Sequence, residues 1–147
     1  MMPRFGRTSL AKLQGCHEDL QRVANLAIQK VDFSVKHGWR GELEQNELVR
    51  IGVSKQKWPF SDHNHVDPMH NPESLAMDVI PYPWDWGAMT YSDGKHLTPE
   101  GKRRFNLVID AIQDAGDALG LVVRSGRDWQ TFEDWPHLYL VIEQRET

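Results

Sequence analysis

The chain has 147 residues, which fits one compact domain spanning 1–147 and leaves too little sequence for two. With 17 Lys and Arg against 21 Asp and Glu the formal charge is −4, so there is no electrostatic footprint for nucleic acid or for stable association with an anionic membrane. The single cysteine, Cys16, excludes an internal disulfide and a thiolate-based metal site, so any metal must be held by His and carboxylate.

From His17 to Lys30 the apolar residues Leu20, Val23, Ala24, Ala27 and Ile28 recur at three-and-four spacing and predict a helix. Val31, Phe33 and Val35 then alternate with Asp32, Ser34 and Lys36, predicting a half-buried strand that ends at His37 and Gly38. A second helix with a thin apolar face is expected over Glu42 to Arg50, closed by Gly52. Val53 to Pro72 is polar and Pro-containing, longer than the roughly 12–15 residues of an idle connection, and is expected to be a functional loop.

Leu75 to Tyr82 resumes as a strand, with Ala76, Asp78 and Ile80 on one face and Met77, Val79 and Pro81 on the other. A Trp- and Pro-rich segment follows. Thr98 and Pro99 then read as N-cap and first residue of a long helix whose stripe is Phe105, Val108, Ile109, Ile112 and Leu119, ended by Gly120. A short strand at Leu121 to Arg124 and a last strand from His137 to Glu143 complete the chain. No window approaches the ~20 apolar residues of a membrane span, and the N-terminus lacks the apolar core of a secretory signal.

Three of the seven histidines, His63, His65 and His70, fall in the long loop just ahead of the strand carrying Asp78. Two histidines and one carboxylate suffice for a catalytic zinc site that keeps a fourth position for water. His137 is the natural third ligand, because adjacent strands can bring it beside Asp78. Asp134, three residues upstream, is close enough to serve as general base without ligating the ion. Each residue also has a plain structural reading: a solvated loop for the histidines, a hydrogen-bonding role for Asp78, a turn for Asp134.

Taken together, these segments resemble the zinc D-alanyl-D-alanine carboxypeptidase and dipeptidase group, in its small phage branch of L-alanyl-D-glutamate endopeptidases. The resemblance runs from FGRTSLAKLQGCHEDLQRVANLAI, a lead-in helix, through DFSVKHGWRGELEQNELVRIGVSKQ, SDH and LAMDVIPYPWDW, to DWPHLYL. It implies an α+β fold with helices on one side of a small, mainly antiparallel sheet. It also implies Zn²⁺ held by His63, Asp78 and His137, Asp134 as general base, and Arg40 as the cation facing substrate, with Ser61 and Gln45 orienting the loop and lining the cleft. His63 is preferred over His65 or His70 because Ser61 stands two residues before it.

The implied activity is metal-assisted hydrolysis of the peptidoglycan stem peptide at L-Ala/D-Glu by a monomer that waits in the host cytoplasm until it is released to the wall. Terminal D-Ala removal is the alternative chemistry, and a non-catalytic wall-binding or structural phage protein is the alternative of another class. The chain departs from the family pattern in a long gap between His63 and Asp78, in Tyr139 where relatives often carry Glu, and in RSGRDW before the final motif. Core packing accounts for most of the six tryptophans, but Trp84, Trp86, Trp129 and Trp135 are placed so that some could line a wall for peptide or glycan.

Overall fold

The structure, a computed structural model, describes residues 2–130 and 133–142. The elements run α1 (Arg7–Leu13), α2 (Glu18–Ala27), β1 (Phe33–His37), α3 (Glu42–Arg50), β2 (Ala76–Pro81), α4 (Trp86–Met89), α5 (Pro99–Ala118), β3 (Val122–Ser125) and β4 (His137–Val141). Two single turns of 3₁₀ helix lie at Asp62–Asn64 and Gly126–Asp128. The four strands form one sheet in the order β1-β2-β4-β3, and every pairing is antiparallel. This is the expected α+β arrangement.

Helix boundaries follow local chemistry. His17 caps α2 by accepting the Asp19 amide at its ring Nδ1, 3.0 Å away, so the helix starts one residue later than the apolar periodicity suggests. Thr98 accepts the Gly101 amide at the head of α5 while Pro99 occupies the first turn. Gly52 and Gly120 stop α3 and α5 with positive φ of 83° and 72°, a conformation that costs glycine nothing. The last strand ends at Val141, one residue short of Ile142, which the expected strand included; its expected end, Glu143, lies outside the described residues.

The core is made by one face of the sheet against two helices. Leu20, Val23 and Ala24 of α2 and Phe105, Ile109 and Ile112 of α5 are buried with Met77 and Val79 of β2 and Leu138 and Leu140 of β4. A strand's side chains alternate between faces, so Asp78, between Met77 and Val79, and His137, next to Leu138, project from the opposite face. The register makes them direct cross-strand partners: Asp78 lies opposite His137, and Met77 opposite Leu138. Helix α3 contributes little apolar surface, as its sequence predicts; its buried residue is Gln45, and Leu43 is exposed.

The head of α5 sits hard against the α4 segment, where a Cβ on Gly101 would lie 2.1 Å from the Met89 carbonyl oxygen. Backbone must move to admit a methyl group there. Gly101→Ala is therefore expected to destabilise the fold by about 1–3 kcal/mol, the usual cost of overpacking. A thermal melt checks this; a variant that melts with the wild type would show that the contact yields freely.

Candidate metal centre and active-site cleft

His63 is placed by a turn that the sequence SDHN builds for itself. The Ser61 hydroxyl accepts the His63 amide at 3.2 Å, and the Asn64 side chain accepts the Ser61 amide at 3.1 Å, a reciprocal cap around one turn. Asn64 also donates to the Arg40 carbonyl at 3.0 Å and to Gln45 Oε1 at 3.3 Å, while the Arg40 amide donates to the His63 carbonyl at 2.8 Å. The turn and the segment after β1 are thus stitched together. Asn64 is absent from the sequence expectations, although its spacing from Ser61 carries the signature of a capping box.

The ring of His63 is fixed from behind. Its Nδ1 lies 2.7 Å from the Gly38 carbonyl, which can only accept, so Nδ1 donates and Nε2 turns toward Asp78. That Nε2 is buried, 3.4 Å from Asp78 Oδ1, and has no hydrogen-bond partner. His137 Nδ1 lies 3.3 Å from the same oxygen. The ring of His137 is backed by Trp129 and Tyr139, at centroid distances of 5.1 and 5.6 Å.

The three ligand atoms all lie within 4.8 Å of one another, and among the described residues no other group of three His, Cys, Asp or Glu side chains converges in this way. Tetrahedral bonds of about 2.0–2.1 Å to nitrogen and oxygen place neighbouring donors roughly 3.3 Å apart. The 3.3 and 3.4 Å separations from Asp78 Oδ1 match that edge. An orphaned imidazole nitrogen, a carboxylate oxygen and a second imidazole nitrogen thus fit a small divalent ion. His65 and His70 do not join them: His65 Nδ1 is engaged by the Glu73 carbonyl at 2.9 Å, and His70 is exposed on the loop.

Asp78 Oδ2 accepts a 2.9 Å hydrogen bond from the Arg40 guanidinium, with both residues buried. Burial alone would push the Asp78 carboxyl up, but the neighbouring charge of His63 and the hydrogen bond from His137 outweigh it and hold the group well below the usual carboxylate range. Arg40 therefore secures the carboxylate while it also lines the cleft. Gln45 is fully buried behind the cleft wall, where its amide donates to Ser54 Oγ at 2.9 Å and to the Gln56 carbonyl at 2.5 Å. Ser61 lines the cleft, and Gln45 holds the loop that forms one of its sides.

Asp134 approaches from the turn before β4. Its amide donates to the Gly126 carbonyl at 2.9 Å, and its carbonyl accepts the His137 amide at 3.1 Å, so Asp134 and His137 are carried on one turn. Glycine at 126 makes this approach possible, because a Cβ there would lie 2.4 Å from the Asp134 carbonyl oxygen. Burial, and then the negative field of Asp78, push the Asp134 carboxyl up from its ordinary value. His63, Asp78, Asp134, His137 and Arg40 share the wall of one cleft of about 740 Å³.

The phage L-alanyl-D-glutamate peptidase family matches residues 1–138. The L-alanyl-D-glutamate peptidase of Escherichia phage T5 is 27% identical over 137 residues, covering 90% of this chain and 85% of the relative. The crystal structure of the Serratia marcescens L-Ala D-Glu endopeptidase ChiX is similar to this fold with a TM-score of 0.72 at 28% identity, over 99% of this chain and 96% of that one. A match over nearly the whole sequence, with the same fold in a solved relative, settles the kinship: the chain belongs to the phage L-alanyl-D-glutamate peptidase family.

Proposed function

We propose that the protein is a zinc-dependent peptidoglycan peptidase that hydrolyses the L-Ala/D-Glu bond of the stem peptide, with His63, Asp78 and His137 as the metal ligands. The observation that carries this reading is the convergence of the three donor atoms in a cleft that also presents Asp134, in a chain whose relatives are named for that bond. Two imidazoles and one carboxylate are a donor set of catalytic zinc. When bound, such an ion supplies Lewis acidity toward a carbonyl oxygen and makes a water acidic near neutral pH.

The chain's own residues supply the remainder. Asp134, with its carboxyl pushed up from its ordinary value by burial and by Asp78, takes the proton of the attacking water and returns it to the leaving D-Glu nitrogen. Arg40 holds Asp78 through Oδ2 and presents positive charge to the cleft wall, where negative charge develops on the scissile carbonyl. The His63 Nδ1 contact with Gly38 keeps that ring's orientation through the cycle. No helix among the described residues is long and apolar enough to cross a membrane, and the reading has the enzyme reach the wall only after the membrane has been breached.

Digestion of defined muropeptides, read by mass spectrometry, tests the bond. The expected product pair is a muramoyl-L-alanine fragment and a peptide beginning with D-Glu. Loss of terminal D-Ala in its place would make the enzyme a carboxypeptidase, and wall binding without any product would make it a binding module.

Asp134→Asn is expected to lower the hydrolysis rate by about 10²–10⁴-fold, the usual share of a general base. Its effect on stability runs the other way. A carboxyl whose folded pKa is raised contributes stability below its unfolded pKa of about 3.9, and that contribution is lost as pH rises through the folded value. In chelated protein near neutral pH the Asn variant should therefore melt at or above the wild type, with the advantage vanishing in acid. A variant that melts lower at neutral pH and keeps its activity would contradict the role.

A further inference from the structure

Beside the catalytic cleft lies a second cavity of about 250 Å³, walled by Trp84, Trp86, Trp135 and Phe105. It shares Ile80, Trp86, Asp134 and Pro136 with the cleft, so the two adjoin at the side of Asp134. The ring frame is preformed: Trp84 packs on Phe105 and Trp86 at centroid distances of 5.2 and 5.9 Å, and Phe105 on Trp135 at 6.3 Å. Trp84 and Trp135 lean on the core. Trp86, by contrast, is 59% exposed and packs its free surface against nothing in the described chain that would hide it.

We propose that this pocket seats the muramoyl sugar of the substrate, and that the cleft accepts the stem peptide in one direction, with the sugar toward Trp86 and the D-Glu carboxylate toward Lys36. The inference rests on the function proposed above and adds the subsite and the polarity. In peptidoglycan the nitrogen of L-Ala is amide-linked to the lactyl arm of the sugar. One residue, a span of about 3.5 Å, therefore separates the scissile bond from that arm. A cavity that borders the cleft wall at Asp134 lies within reach of that group.

The chemistry of the two sides differs in the required sense. A pyranose offers apolar C–H faces and a hydroxyl rim, which suits an aromatic wall at a wet edge. Glu133 and Asp134 outnumber Lys95 on the pocket's lining, which disfavours a carboxylate there. The Glu133 carboxylate is also oriented, accepting the Trp135 indole N–H at 3.0 Å. Lys36 lines the cleft but not the pocket, and among the described lining residues of the cleft the only carboxylates are Asp78 and Asp134 at its catalytic centre. A D-Glu carboxylate is drawn to Lys36 and away from the tryptophans.

The test compares kcat/KM of metal-loaded protein on a muropeptide and on the same stem peptide lacking the sugar. The wild type should prefer the muropeptide by about tenfold, the effect of one well-packed aromatic anchor, and Trp86→Ala should compress that ratio toward one. Lys36→Ala should raise KM more for a substrate with a free D-Glu carboxylate than for its amidated counterpart. Equal wild-type rates on the two substrates, or a ratio unchanged in Trp86→Ala, would overturn the sugar subsite, and equal effects of Lys36→Ala on both forms would overturn the polarity. Hydrolysis of neither substrate by the wild type is a different result, since it removes the peptidase reading itself and this subsite with it.

Discussion

A buried carboxylate on a central strand is expensive, and the site is organised around meeting that cost at Asp78. Removing an ion from water carries an effective penalty of several kcal/mol, which is offset only where each oxygen finds partners. Here Oδ2 is held by Arg40, while Oδ1 faces the nitrogens of His63 and His137. Those contacts keep the carboxyl charged despite its burial. They also leave Oδ1 in the position a metal would need, between two imidazoles. The two imidazoles that face the anion are thus the ones that could complete a metal site with it.

The sheet delivers this arrangement because its two faces do different work. Met77, Val79, Leu138 and Leu140 anchor β2 and β4 against α2 and α5, and the alternation of side chains sends Asp78 and His137 to the other face. A slip of one residue in either strand would exchange the two sets, placing His137 in the core and Leu138 in the cleft. The hydrophobic pattern therefore fixes the placement of Asp78 beside His137 without touching either. Across the cleft, the SDHN turn does the same for His63 through hydrogen bonds, with Asn64, Arg40 and Gln45 locked into one network.

What could be read in advance was whatever short-range pattern encodes. The stripes of α2 and α5, the Thr98-Pro99 start and the alternation of β2 and β4 are local, and the structure places those elements within a few residues of expectation. Helices α1 and α4 are harder to see: the first is seven residues long, and the second is a four-residue turn held by the Asp85 side chain. The choice of His63 over His65 and His70 came from Ser61 two residues before it, and that spacing has a physical basis in the hydroxyl that caps the turn. The partnership of Asp78 with His137, 59 residues apart in sequence, is tertiary and had to be seen. So were the burial of Gln45, the grip of Arg40 on Asp78, and the close approach at Gly126 that carries Asp134 to the cleft.

The central claim is that His63, Asp78 and His137 hold one catalytic ion, and titration of metal-stripped protein with zinc tests it most directly. Wild type and His65→Ala should each take up about one zinc per chain, because His65 stands outside the converging group. His63→Ala and His137→Ala should lose that stoichiometric uptake while still folding. Full uptake by the His63 variant, or loss of uptake in the His65 variant, would contradict the assignment.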